Sequence, residues 1–136
     1  MKIPQISVFL ENKSGRLAHI TRVLRGADIN ILALSLADTS DFGILRLIVD
    51  APDKAQEALA KENVVCMVND VTAVEVENRP GGLARILDAL EGCKVNVEYM
   101  YAYAEGQSGK AALIFRFDDP ETAVEKLGQA GINVLS

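Results

Sequence analysis

Val74-Glu75-Val76-Glu77-Asn78-Arg79-Pro80-Gly81-Gly82-Leu83-Ala84 reads as a strand that turns directly into a helix. Val74 and Val76 alternate with Glu75 and Glu77, the period of a half-buried strand. Asparagine, proline and glycine then end the alternation, because each favours a turn for its own conformational reason. The same stretch occurs 66 residues earlier, where Asn12-Lys13-Ser14-Gly15-Arg16-Leu17-Ala18 answers to Asn78 through Ala84. In register with it, Ile20 pairs with Ile86, Leu24 with Leu90, Gly26 with Gly92, and Ile29-Asn30-Ile31 with Val95-Asn96-Val97. Past the middle of each copy the offset becomes 68, so that Asp50 meets Asp118, Pro52 meets Pro120 and Leu59 meets Leu127. One loop therefore changed length, near Thr39 to Gly43 or Glu105 to Lys110, where turn residues cluster and such a change is tolerated. A repeat this long is a small domain and not a solenoid turn, which predicts domains at 1–69 and 70–136.

Within the first copy, Ile6, Val8 and Leu10 alternate as a strand, and Leu17, Ile20, Thr21 and Leu24 recur at helical spacing. Gly26 is placed to stop that helix as a left-handed cap. Ile29 to Ala37 and Ile44 to Asp50 read as a hairpin, Pro52 opens a second helix, and Val64 to Val68 supplies a last strand. The second copy repeats the order, with a last short strand at Ile132 to Leu135. The order βαββαβ is the ferredoxin-like arrangement of the α+β class. The expected architecture is two such units in tandem, side by side in a continuous antiparallel sheet with the helices on one face. Only Asn69-Asp70 separates the last strand of the first copy from Val71, which predicts a tight hairpin there. Such local closure favours an exchange in which each unit borrows its last strand from the other, Ile132 to Leu135 lying beside Ile6 to Leu10.

Composition narrows the class. A chain 49% hydrophobic and 24% charged is ordinary for a globular protein. No window approaches the ~18 apolar residues of a membrane span, and the start Met1-Lys2-Ile3-Pro4-Gln5 lacks a signal peptide's apolar stretch, so no membrane association and a cytoplasmic location are expected. Cys66 and Cys93 have no metal-ligand spacing and are expected as reduced thiols, with no metal and no cofactor. A net charge of -5 repels a phosphate backbone, and no nucleic-acid partner is expected. Arg16, His19, Arg22 and Arg25 are the candidates for a basic patch, but spacing of i, i+3 drifts around a helix and reads as a solvated face. Catalysis is not expected: the single histidine, His19, stands among arginines, with no acid or base partner repeated in the other copy.

The doubled turn carries the chemistry. A strand entering a helix leaves backbone N–H groups unpaired and pointing outward, a ready site for a carboxylate. Gly15 and Gly81 permit unusual φ values and a close approach, and Asn12 and Asn78 offer an amide that can both donate and accept, as an amino-acid zwitterion requires. Asn30 and Asn96 begin the following strand and are expected beside the same turn. Capping and turn preference explain the same residues without a ligand, and this reading stands beside the first.

The stretch from Val74 to Ala84, followed by Val95-Asn96-Val97, closely resembles the ACT domain, a small regulatory module attached to many enzymes of amino-acid metabolism. The second copy is particularly similar to the serine-sensing domain of phosphoglycerate dehydrogenase, and the first has Ser14 in place of the proline. The resemblance covers essentially the whole chain. It implies a free amino acid as ligand, bound by Asn12, Lys13, Ser14, Gly15, Arg16, Leu17 and Asn30 and by Asn78, Arg79, Pro80, Gly81, Gly82, Leu83 and Asn96. Some serine-binding members carry a histidine two residues before the first asparagine, where this chain has Leu10 and Val76. An apolar or aromatic amino acid is therefore favoured over serine. The implied role is regulation of a partner enzyme; the alternative is a ligand-free interaction or scaffold subunit docking on one.

Tyr99, Tyr101 and Tyr103 share one strand face, opposite Ala33, Ser35 and Ala37 in the repeat. Large against small suggests an asymmetric contact between units or a homodimer surface on the helix-free side of the sheet. Lining a pocket for an apolar ligand is the sharper reading.

Overall fold

The computed structural model describes residues 2–11, 13–38, 42–103 and 109–135. Its elements are β1 (Ile3–Glu11), α1 (Arg16–Gly26), β2 (Ile31–Asp38), β3 (Phe42–Val49), α2 (Pro52–Lys61), β4 (Cys66–Glu77), α3 (Gly82–Leu90), β5 (Val97–Tyr103), β6 (Lys110–Phe117) and α4 (Pro120–Gln129). This is an α+β fold of two ferredoxin-like units in tandem. One compact unit is Pro4–Asn69; the other is Asp70–Ser136 together with the first residues of the chain. The change of offset falls between β5 and β6, since β5 ends at Tyr103 and β6 begins at Lys110, whereas β2 ends at Asp38 and β3 begins at Phe42.

In the N-terminal unit the strands lie in the order β2-β3-β1, all antiparallel. Ile6 faces Leu47 and Val8 faces Leu45 across the β1–β3 ladder. This register puts the alternating apolar residues on one face, where Ile20 and Leu24 of α1 and Ala55 and Leu59 of α2 close the core. The C-terminal unit repeats the plan in the order β4-β6-β5, with Val74, Ile86, Leu90, Ala123 and Leu127 in its core. Phe115 and Phe117 stack there with centroids 5.0 Å apart, at the positions that Leu47 and Val49 hold in the first repeat.

Asn69-Asp70 does not form a hairpin. Neither residue has a positive φ, and both lie inside the unbroken strand β4. Extended backbone serves them well there: Asn69 Oδ1 accepts from Gln5 Nε2 at 3.3 Å, and the Asp70 carbonyl accepts from Arg116 Nη1 at 2.9 Å. Strand exchange is overturned with the hairpin. Ile132 to Leu135 lies beside the first strand of its own unit, the Glu75 N–H donating to the Asn133 carbonyl at 2.9 Å and the Leu135 N–H to the Ala73 carbonyl at 2.8 Å. In the N-terminal unit the Phe9 N–H donates to the Val65 carbonyl at 3.4 Å, while Val64 and Cys66 pack on that unit's own core.

Gly26 is not the cap of α1. It remains helical, and the left-handed residue is Asp28, with φ 59°. The Asp28 N–H donates to the Arg25 carbonyl and the Ile29 N–H to the Leu24 carbonyl, each at 3.0 Å. This Schellman closure turns Ile29 into the core, which a stop at Gly26 would not do. Asn63 and Gly131 end α2 and α4 in the same way, delivering Val64 and Ile132 to their cores.

Candidate functional site

The two strand-to-helix turns match bond for bond. Gly15 has φ 87° and ψ -11°, Gly81 has φ 88° and ψ -1°, and each is the N-cap of its helix. Only glycine takes this left-handed conformation without steric cost. The Lys13 N–H donates to the Glu11 carbonyl at 2.8 Å and the Arg16 N–H to the Lys13 carbonyl at 3.3 Å. In the second copy Arg79 donates to Glu77 at 2.9 Å and Gly82 to Arg79 at 3.1 Å. The first intrahelical bonds run from His19 to Gly15 and from Arg85 to Gly81, both at 3.0 Å. The helix therefore offers no backbone acceptor to the amides of Leu17 and Ala18, or of Leu83 and Ala84. Neither first turn contains an acidic residue. Asn12 lies outside the described residues; Asn78 is exposed, and its N–H donates to the Gly109 carbonyl at 3.1 Å.

Near the start of each helix is a cavity, and seven repeat positions line both, although Lys13, Ser14 and Gly15 do not line the N-terminal one as Arg79, Pro80 and Gly81 line the C-terminal one. The C-terminal one, about 260 Å³, is bounded by the turn from Arg79 to Gly82, by Glu75, Val76 and Glu77 of β4, by Arg85 and Ile86 of α3, and by Ile132. The N-terminal one, about 250 Å³, is bounded by Phe9, Leu10 and Glu11, by Arg16, His19 and Ile20, and by the segment Glu62 to Val65. An apolar trio recurs: Leu10, Ile20 and Val64 in one, Val76, Ile86 and Ile132 in the other. A smaller cavity of about 110 Å³ flanks the N-terminal turn and includes Lys13, Leu17 and Leu36. Ser14, Pro80 and Leu83 are placed with their turns, and Ser14 and Pro80 are exposed.

Charge at the turns is largely paired. Glu11 holds Lys13 at 2.9 Å and Arg16 at 3.8 Å, and Arg79 pairs with Glu77. The hydrogen bond from Lys13, then the positive charges of Lys13 and Arg16, hold the Glu11 carboxyl below its usual range. Glu75 is bonded to Lys110 Nζ at 3.1 Å, and Arg85 Nη2 reaches the Ala130 carbonyl at 3.3 Å. Among the described residues no cluster of His, Cys, Asp and Glu could hold a metal ion.

Asn30 and Asn96 are not beside the turn of their own unit. Glu11 pairs with Phe42, and Asp38 with Gly43, at one end of the sheet; Ile31 pairs with Val49 at the other. A strand of eight residues, at ~3.3 Å each, separates Asn30 from the turn end. The Asn30 N–H donates to Asp50 Oδ1 at 3.0 Å, and the Asn96 N–H to Asp118 Oδ1 at 2.8 Å. Following β1 up, α1 down and β2 up again puts the start of β2 opposite the end of β1, which the sequence-level expectation overlooked. Tyr99, Tyr101 and Tyr103 pair with Arg116, Ile114 and Ala112, on the face of β5 away from Met100 and the helices. They do not line the cavity beside the C-terminal turn.

His19, Arg85, Val64 and Ile132 were not among the expected site residues. His19 and Arg85 stand three residues after Arg16 and Gly82, so helical spacing could have found them. Val64 and Ile132 come from the far end of each unit, and only the tertiary structure brings them in.

A model of the ACT domain pair matches residues 1–134. The chain belongs to this family. The ACT pair is 39% identical to protein BT0572 from Bacteroides thetaiotaomicron, whose crystal structure superposes with a TM-score of 0.92 over 99% of this chain and 92% of that one. It is 24% identical to the acetolactate synthase small subunit of Mycobacterium bovis, over 99% of this chain and 92% of that protein. The regulatory subunit of aspartate kinase from Thermus thermophilus shares the fold, with a TM-score of 0.66 at 16% identity, over 93% of this chain and 91% of that one. The family match takes up nearly all of the ACT pair. Among its described residues no helix is long and apolar enough to cross a membrane.

Proposed function

We propose that this ACT pair is a regulatory protein that binds a free amino acid at the glycine turn of one or both units and so modulates an enzyme of amino-acid metabolism. The observation that carries this reading is the pair of corresponding cavities, each bounded by first-turn residues and by an apolar trio. Their volumes fall just below the ~300–1,000 Å³ of sites for drug-sized ligands, a size suited to a smaller molecule. Leu10 and Val76 line them, which favours an apolar or aromatic side chain over serine. The amides at the helix start would take the carboxylate. Kinship with an acetolactate synthase small subunit supports a regulatory role beside an enzyme.

Asn30 and Asn96 would reach such a site from another copy of the chain. β2 is the edge strand of its unit's sheet. Antiparallel pairing of two β2 edges would carry the Asn30 of one copy toward the turn end of the other, and this favours a homodimer. The rival reading, a ligand-free scaffold docking on a partner enzyme, is favoured by one observation: Glu11 and Glu77 already occupy the cations nearest the turns.

A thermal-shift screen over the twenty amino acids, followed by calorimetry, separates the two. Apolar amino acids at a hundred times Kd should stabilise by about 2.7 kcal/mol. Gly15→Ala combined with Gly81→Ala should remove the shift. If no amino acid produces a shift or heat, the sensor reading is wrong and the scaffold stands.

A further inference from the structure

The two cavities differ in the charge that each leaves unpaired. In the C-terminal one Glu77 is taken up by Arg79, and Glu75 by Lys110 at 3.1 Å. The remaining charged residue of its lining is Arg85, which has no ion pair among the described residues. In the N-terminal cavity Glu11 is shared by Lys13 and Arg16, and the charge left without an ion pair among the described residues is negative, on Glu62. Glu62 stands where the second repeat has Ala130, and His19 where it has Arg85. A histidine does not carry the permanent charge of an arginine.

Arg85 is held in place without being used up. Its Nη2 donates to the Ala130 carbonyl at 3.3 Å, just past the end of α4. A guanidinium has five N–H donors in a rigid fork, so this bond orients the head and leaves donors for a second acceptor. The turns add to the difference. Arg79, Pro80 and Gly81 line the C-terminal cavity, whereas Lys13, Ser14 and Gly15 do not line the N-terminal one. Gly82, which has no side chain, opens the C-terminal helix at the position where Arg16 lines the other cavity. An unpaired guanidinium beside the turn favours a carboxylate there, and an unpaired carboxylate opposes one.

We infer that the C-terminal cavity alone takes the amino acid, one per chain, and that Arg85 is the residue that selects for the ligand's carboxylate. This rests on the amino-acid reading above and narrows it to one of the two cavities. Val76, Ile86 and Ile132 then receive the apolar side chain.

The test is calorimetry on the full chain with L-leucine and L-phenylalanine, and with L-leucinamide and L-phenylalaninamide, which keep the side chain and the amine but lose the anionic carboxylate. The native chain should bind one amino acid per chain and prefer it to its amide roughly tenfold or more. Arg85→Gln should weaken the amino acid by a similar factor and leave the amide nearly unchanged, so that the preference narrows. A purely structural role for Arg85, bracing the end of α4, would instead weaken amino acid and amide alike. That result overturns the inference, as do two ligands per chain or a preference that survives Arg85→Gln in full. No heat from either amino acid with the native chain removes the amino-acid reading itself, and this inference with it.

Discussion

Asn96 and Asp118 close one end of the β5–β6 hairpin on each other. The Asn96 N–H donates to Asp118 Oδ1 at 2.8 Å, the Asp118 N–H returns to the Asn96 carbonyl at 3.1 Å, and Asn96 Nδ2 reaches Asp118 Oδ2 at 3.3 Å. Asn30 and Asp50 repeat the two backbone bonds at 3.0 and 3.1 Å. The asparagines therefore have a structural task whether or not they meet a ligand. Asp118→Ala is expected to lower stability by about 0.5–1.5 kcal/mol in urea titrations. An unchanged midpoint would mean that these exposed bonds contribute nothing and that the pair exists for binding alone.

Gly82 lies against β4 with no room for a side chain. A β-carbon there would overlap the Glu77 carbonyl oxygen and come within 2.8 Å of Val76 Cγ2, whereas the corresponding residue of the first repeat is Arg16. Gly82→Ala should cost about 1–3 kcal/mol. At Gly81 the space is open and the obstacle is the φ of 88°, so Gly81→Ala should cost about 1–2 kcal/mol. Thermal melts of both variants, with ligand affinity measured in parallel, distinguish a packing glycine from a binding one.

Ala51 and Asp119 hold the same N-cap geometry, at φ -137°, ψ 79° and φ -134°, ψ 83°, but only Asp119 caps its helix. Its carboxylate accepts from the Thr122 N–H at 3.2 Å and the Thr122 hydroxyl at 2.6 Å. Ala51→Asp should therefore stabilise the N-terminal unit by about 0.5–2 kcal/mol. A melting temperature that does not rise would show that Lys54, standing where the other repeat has Thr122, leaves the cap incomplete.

The same cap sets an acid limit. The hydrogen bonds from the Thr122 side chain and then its backbone hold the Asp119 carboxyl below its usual range. A folded-state pKa below the unfolded value of ~3.9 means that the cap's contribution is complete above that pH and is lost as pH falls through the folded value. Asp119→Asn should flatten this part of the acid limb in melts taken from neutral pH downward.

Removing residues 132–136 should destabilise the C-terminal unit. Ile132 is 5% exposed, and burying such a side chain contributes about 1.5–3 kcal/mol. Hydrogen exchange locates the effect: protection should fall in β4, including Glu75, and persist in Ile6 to Leu10 of β1. Loss in β1 instead would restore the exchanged pairing.

Much of the fold was legible in the chain, because its elements depend on neighbours a few residues apart. Alternation at Ile6, Val8 and Leu10, helical spacing from Leu17 to Leu24, and prolines at the starts of α2 and α4 are local properties, and the repeat doubles each of them. Gly15 and Gly81 were identified for the same reason: a strand that must become a helix within four residues needs a left-handed position, and glycine alone supplies it cheaply. What the sequence could not decide were choices between distant partners. Asn69-Asp70 suits a tight turn or an extended strand, and the choice fell to Gln5 and Arg116, which bond the extended form from elsewhere in each unit. The last strand, the far position of Asn30 and Asn96, and the apolar trio completed by Val64 and Ile132 follow from which strands lie adjacent. Adjacency depends on burial and hydrogen bonding summed over a whole unit, and no short window of sequence contains that sum.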